Sequence, residues 1–247
     1  LTSERFFITS KAKDREFVFL EGAEHHHLSK VARIRPGDEV WLFDEEGFEY
    51  FARVKELGKE KTCLRILSYA GKKESRIRIT LAQALIKSKK MDLVIQKSTE
   101  LGAHVFIPVI SSRSVVKLQH GIAKKLERWK RIGLEAAKQC GNVNIPEVYS
   151  PVKLDKFLQK RNESRKMFLS ERGGKLIRNV LLSSLGVEPE IPHSVVLLVG
   201  PEGGWTDKEE RDILESGFEA ISLGPFILRS ETAAMVSLSF LSHFWNS

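Results

Sequence analysis

The sequence predicts an α/β fold, a small β-rich barrel followed by a larger domain on a parallel sheet, and three observations predict it. The first is the stretch SVVLLVGPEGGWT at residues 194–206. Its apolar run, Val195, Val196, Leu197, Leu198 and Val199, is too short and too β-branched for a helix and matches a strand buried on both faces. The run stops at Gly200-Pro201-Glu202-Gly203-Gly204, and Thr206 with Glu209 makes a capping box, so the order is strand, glycine loop, helix. The second is a repeat of that layout: Ala220-Ile221-Ser222-Leu223-Gly224, a loop over 225–230, and a helix from about Glu231. The third is a run of short strand candidates, separated by turns, in the first 70 residues. In open α/β sheets ligands bind beyond the carboxyl ends of the strands, so the chemistry is expected on the two late loops.

Taken in order, residues 5–8, 17–20, 39–43, 48–54 and 62–67 read as strands, with Pro36-Gly37-Asp38 and Glu45-Glu46-Gly47 as turns. One helix over 23–34 interrupts them, with His27, Leu28, Val31 and Ile34 on one side. Such a set suggests a small closed barrel. The polar stretch AGKKES at 70–75 reads as a flexible boundary. Residues 76–85 then alternate as a strand, and Lys87, Lys89 and Lys90 form a basic cluster before a helix with Met91, Val94, Ile95, Ser98 and Leu101 at helical spacing. Gly102 closes that helix, and 104–110 is the next strand, completing a βαβ unit. A long helix over 122–140 has Ile122, Leu126, Trp129, Ile132, Ala136 and Cys140 on its apolar face. A short helix at 154–158, a short strand at 167–169 and a closing helix over 231–245 complete the set.

Composition bounds the function. The chain has 247 residues, 42% of them hydrophobic, enough for a sizeable core. It has no 18-residue apolar run and no signal-peptide pattern at its start, so a soluble, cytoplasmic protein is expected, with no membrane partner. Cys63 and Cys140 make neither a CxxC pair nor a disulfide framework. The net charge of +8 is unevenly spread: residues 71–166 hold 22 Lys/Arg against 8 Asp/Glu, while the flanking thirds are acidic. That is the pattern of a surface facing phosphates. His25-His26-His27 is not a metal site, because ligands on a helix need three- or four-residue spacing; no metal is expected.

The glycine loop excludes several nucleotide sites. No GK[ST] follows it, so it is not a P-loop; no G-x-G-x-x-G follows a strand; and neither G-x-S-x-G nor HExxH occurs. What remains is a loop where Gly200, Gly203 and Gly204 let a ligand approach bare backbone, with Leu223-Gly224 and Ile227-Leu228 able to contact a flat ring. That suits an adenine bound without phosphates, as in S-adenosylmethionine.

SVVLLVGPEGGWTDKEE followed by ISLGPFILRSETAAM resembles the SPOUT methyltransferases, most closely the bacterial RsmE family, which methylates N3 of a uridine in 16S ribosomal RNA. RFFI, HHHLSKVARIRPGDEV, KSTELGAHVFIPVISSRSV and RWKRIGLEAAKQC extend the resemblance along the chain. It implies a PUA-like β-barrel at 1–71 that helps to hold RNA and a SPOUT α/β domain at 72–247 whose C-terminal part is a trefoil knot. It implies S-adenosylmethionine bound on the loops after Leu169, Val199 and Leu223. The expected contacts are Leu169 and Ser170 on the first loop and Val199, Gly200, Pro201, Glu202, Gly203 and Gly204 on the second. Ser222, Leu223, Gly224, Ile227, Leu228, Thr232 and Ala233 belong to the third and the helix after it. It further implies a homodimer whose second subunit completes each site, and 16S ribosomal RNA or the 30S subunit as partner. Arg5, Arg33, Arg35, Lys87, Lys89, Lys90 and Arg113 are the expected RNA contacts. After Gln139-Cys140-Gly141 the family commonly carries an arginine where this chain has Asn142, which puts RNA contacts there in doubt.

Methylation at uracil N3 needs the N3 proton removed and the resulting anion stabilised. Arg229 is expected to stabilise the anion or anchor the target phosphate, Glu202 to act as base or orient the base edge, and Arg113 to reach across the dimer. Each has a structural rival: pairing of Arg229 with Glu231, helix capping by Glu202, a plain surface charge at Arg113. The rival functions are a non-catalytic RNA-binding assembly factor, a SPOUT enzyme of another RNA position, and a phosphate-binding α/β enzyme.

Overall fold

In this computed structural model the chain divides into two units, Leu1–Glu74 with Glu135–Ile145, and Ser75–Leu134 with Pro146–Ser247. The structure describes residues 4–9, 12, 14–72, 75–114, 121–183 and 191–246.

The first unit contains β1 (Arg5–Ile8), β2 (Phe17–Glu21), α1 (Gly22–His26), a π-helical turn (His27–Val31), β3 (Glu39–Asp44), β4 (Phe48–Leu57) and β5 (Lys61–Lys72). The sheet order is β1-β3-β4-β5-β2, with β1 parallel to β3 and every other pair antiparallel. Register shifts between β4 and β5 after Glu49, Phe51 and Val54 bend the sheet around one core of Phe6, Val18, Leu20, Leu42 and Leu64. The turn from β3 to β4 is built by Asp44, whose Oδ1 accepts the amides of Glu46 (3.0 Å) and Phe48 (3.1 Å). Its Oδ2 accepts the buried Tyr50 hydroxyl at 2.9 Å. Burial first, and Asp44 second, pushes that phenol well above its ordinary value.

Two expectations for this unit are corrected. The helix does not run evenly over 23–34. It widens at His27, where the Ala32 amide donates to the His27 carbonyl at 2.9 Å, and ends at Arg33, a non-glycine residue with φ +55°. The extra residue in the turn rotates Val31 out to 62% exposure, while Leu28 and Ile34 stay buried. The boundary stretch is not all linker either. β5 continues through Ala70 and Gly71 to Lys72, pairing Gly71 with Glu49; Lys73 and Glu74 lie outside the described residues.

The second unit contains β6 (Arg78–Ala84), α2 (Ser88–Glu100), β7 (Val105–Ile110), β8 (Glu147–Val148), β9 (Val152–Lys153), β10 (Arg165–Leu169), β11 (Lys175–Leu176), β12 (Ser194–Val199) and β13 (Glu219–Ser222). Its other helices are α3 (Ile122–Cys140), whose last turns count with the first unit, α4 (Leu154–Leu158), α5 (Ile177–Ser183), α6 (Asp207–Glu215) and α7 (Ser230–Trp245). The sheet order is β11-β13-β10-β12-β6-β7-β8, all pairs parallel, with β9 also on β7. β12 is the central strand, and its alternation explains its unbroken apolar sequence. Val195, Leu197 and Val199 enter one core with Met91 of α2 and Leu238 of α7; Val196 and Leu198 enter another with Phe157 of α4 and Ile213 of α6. The α3 stripe is not buried throughout: Trp129 and Ala136 are buried, but Ile122 and Cys140 are exposed. Among the described residues no helix is long and apolar enough to cross a membrane.

Candidate active site

Three neighbouring parallel strands, β12, β10 and β13, end on the same side of the sheet, and the loops that follow them line one cavity of about 460 Å³. The loop after β10 contributes Leu169, Ser170, Glu171 and Gly173. The loop after β12 contributes Val199, Gly200, Pro201, Glu202, Gly204 and Trp205. The third wall runs from Ser222 through Leu223, Gly224, Phe226, Ile227 and Leu228 to Arg229 and Ser230, with Ala233 on α7. The structure thus brings together most of the expected cofactor residues; Gly203 and Thr232 lie outside the lining.

Local chemistry fixes each loop. Trp205 folds back over Gly200, where a Cβ would stand 3.2 Å from the indole, and its Nε1 donates to the Leu169 carbonyl at 3.1 Å. The loops after β10 and β12 are therefore tied by one side chain. Behind them, buried Gln83 at the end of β6 donates Nε2 to Ser230 Oγ (2.9 Å), and Ser230 donates to the Gly200 carbonyl (2.5 Å). That relay ties the loop after β12 to the start of α7. The following helix, α6, begins with the expected capping box: Glu209 accepts from the Thr206 amide, and the Thr206 hydroxyl accepts from the Glu209 amide at 3.2 Å. The second oxygen of Glu209 accepts the Ser112 amide at 2.7 Å, fixing the loop after β7. Burial alone would raise the Glu209 carboxyl, but these amide and hydroxyl donors bring it below the ordinary carboxylate value.

Arg113 stands on that loop. Its Nη1 donates to the Gly203 carbonyl at 2.8 Å and reaches the Trp205 carbonyl at 3.3 Å, so the guanidinium braces the glycine loop of its own chain. Arg229 precedes α7 and is exposed on the cavity wall; the ion-pair partner of Glu231 is Lys90, not Arg229. The expected RNA contacts are dispersed. Arg5 is paired with Glu49 and lies over the Trp41 ring, whereas Arg33 and Arg35 are exposed in the same unit. In the second unit Lys87 and Lys89 are exposed, but Lys90 lines the cavity. In the run His25-His26-His27, His25 bonds Thr62 Oγ1 at 2.8 Å and His27 lies 3.4 Å from Lys138 Nζ. The Asn142 side chain accepts the Asn144 amide at 3.0 Å, shaping the turn after α3.

A family model described as an RNA methyltransferase domain matches residues 73–242, and one described as an RNA methyltransferase PUA domain matches 20–67. The ribosomal RNA small subunit methyltransferase E of Bacillus subtilis is 33% identical over 97% of this chain and 96% of its own. The chain belongs to the ribosomal RNA small subunit methyltransferase E family. The Aquifex aeolicus member is 31% identical over 96% of this chain and 99% of its own. A member from Neisseria gonorrhoeae, solved bound to S-adenosylmethionine, superposes with a TM-score of 0.86 at 34% identity, covering 99% of this chain and 98% of that one. Residues missed from the sequence include Trp205, Gln83, Ser230 and the inward turn of Lys90. The signals for the first three were present: a tryptophan after two glycines, a lone amide inside an apolar strand, and a serine within the family motif ILRSETA.

Proposed function

We propose that this chain transfers a methyl group from S-adenosylmethionine to N3 of a uridine in 16S ribosomal RNA, acting on the assembled small subunit. Family membership makes it an S-adenosylmethionine-dependent ribosomal RNA methyltransferase. The observation that carries the reading is the convergence of the ends of β10, β12 and β13 on one cavity in a chain of this family. The residues present fit the cofactor. The cavity, about 460 Å³, has the size of a small-ligand site, and Leu169, Leu223 and Ile227 offer apolar contact to a flat ring. Gly224, with φ +131° and nothing within 4 Å of a Cβ position, leaves backbone open to a ligand. When bound, the cofactor supplies an electrophilic methyl group on a positive sulfur, which keeps the bonding pair as the methyl leaves.

The chain's own residues hold and orient. The three loops seat the cofactor, Glu202 takes the N3 proton, and Arg229 stabilises the anion left on the uracil. Arg113 acts through the glycine loop it braces. Residues 1–71 hold the RNA, through Arg33 and Arg35, and residues 72–247 carry out the transfer. The active form is a cytoplasmic homodimer in which the second copy completes each site. On the family resemblance, the C-terminal part forms a trefoil knot. Pulling the chain by its two ends should then leave an extension short of the full contour length, and a full-length extension would refute the knot.

The test is a calorimetric titration with S-adenosylmethionine, with ATP as control, followed by labelled methyl transfer to small subunits and naked RNA. Binding of the first ligand alone, and N3-methyluridine in 16S RNA, is the expected result. Binding of neither, with RNA affinity retained, would make the chain an RNA-binding factor instead.

A further inference from the structure

The basic cluster that opens α2 has two environments. Lys87 and Lys89 face solvent, but Lys90 turns into the cavity wall. Its Nζ donates to Glu202 Oε1 and lies 3.1 Å from Glu231 Oε1. One ammonium therefore holds two carboxylates delivered by different elements, the loop after β12 and the first turn of α7. The two are not equivalent. The Glu202 side chain is 26% exposed and lines the cavity; that of Glu231 is 10% exposed, and its Oε2 is buried with no partner among the described residues. Glu202 first and Glu231 second raise the Lys90 ammonium above its ordinary value. Burial alone would raise Glu231, but its backbone amide, Lys90 and Arg229 bring it below the ordinary carboxylate value. Of the other charged groups nearby, Arg229 bears on Glu231 from the cavity wall, Arg113 is on backbone carbonyls, and Glu171 lies beside Gly204.

Resting on the methyltransferase reading above, we propose that Lys90 is a positioning residue for the reaction rather than an RNA phosphate contact. It holds Glu202 at the cavity to receive the uracil N3 proton, and passes its ion pair to Glu231 as Glu202 becomes neutral. In that step the N3–H bond breaks, its electron pair stays on N3, and the proton makes Glu202 a carboxylic acid. With a single carboxylate partner, Lys90 would then be an unpaired cation in a partly desolvated wall, which is costly. Glu231, already within reach, keeps the ammonium paired before and after the transfer. The arrangement thus keeps the ammonium paired while Glu202 carries the proton.

The full chain is compared as Lys90→Met, Lys90→Arg and Glu202→Gln, singly and with Lys90→Met and Glu202→Gln combined. Three readouts are taken: methyl transfer to small ribosomal subunits, calorimetric S-adenosylmethionine affinity, and RNA affinity as a function of salt. Lys90→Met should lower kcat about 100-fold, in the range of a general-base contribution, with cofactor and RNA affinities unchanged within about threefold. Lys90→Arg should recover most of that loss by restoring the cation. In the Glu202→Gln background Lys90→Met should cost no more than about threefold further, since the two act as a unit. Unchanged kcat in Lys90→Met, or full additivity with Glu202→Gln, overturns the proposal. So does a weaker RNA affinity with the salt slope reduced by about one, which would make Lys90 a phosphate contact. Failure of the unvaried chain to bind S-adenosylmethionine would refute the methyltransferase reading itself, and this proposal with it.

Discussion

Gly200 has no side chain because Trp205 occupies the space one would need. A Cβ there stands 3.2 Å from the indole, and the indole is held in turn by its bond to the Leu169 carbonyl. Gly200→Val should therefore displace the ring that ties the loops after β10 and β12, and calorimetry should find S-adenosylmethionine binding lost; unchanged affinity would place the cofactor elsewhere. Arg229 lies on the same cavity wall without a structural ion pair to Glu231, which Lys90 takes. Arg229→Ala should lower methyl transfer about 100- to 1000-fold, as for removal of an anion-stabilising donor, while cofactor affinity stays nearly intact. Full activity would remove Arg229 from the mechanism. At this scale the sequence was readable where motif and geometry coincide, as in the glycine loop. It was silent where a side chain turns unexpectedly: the three lysines at 87, 89 and 90 look alike in sequence, and only Lys90 reaches two carboxylates.

Helix α6 shows how one element serves both stability and the site. Its N-cap Thr206 and its Glu209 exchange hydrogen bonds, and Glu209 also holds Ser112 on the loop that carries Arg113. Thr206→Ala should cost about 1 kcal/mol, seen as a lower urea midpoint. Glu209→Gln should cost more, because it weakens both the cap and the Ser112 contact; an equal or smaller loss would show that the loop after β7 is held by other means. The capping box could be read from residue types alone because it is local. The π-helical turn could not. Its widening at His27 reflects the need of Leu28 and Ile34 to share one core, a tertiary demand that helical periodicity does not encode, so periodicity turns Val31 inward where the structure exposes it.

Across the whole molecule, charge and strand order carry the remaining consequences. The basic middle third, 22 Lys/Arg against 8 Asp/Glu over residues 71–166, should make RNA affinity fall steeply with salt, and a flat dependence would dismiss a phosphate-facing surface. Stability should also depend on pH through His104, held below its ordinary 6.5 by burial first and by Arg78 second, against an opposing Glu147. The unfolded chain then binds a proton before the folded one does. The contribution of His104 should decline as pH falls below about 6.5 and level off once the folded imidazole is also protonated. His104→Gln should flatten that decline in urea titrations at each pH, and an unaltered decline would exclude His104 as its source. The sequence announced a parallel sheet through the doubly apolar 195–199 but not the order of its strands, because pairing partners far apart in the chain leave no local trace. That order bears on how the protein is made. β12 must enter between β6 and β10, β13 follows it, and α7, which is made after both, supplies part of the cavity wall. A nascent chain halted before residue 230 would carry a finished first unit and most of the sheet, yet have no complete donor pocket. Translation fragments that stop there should therefore not compete for the cofactor.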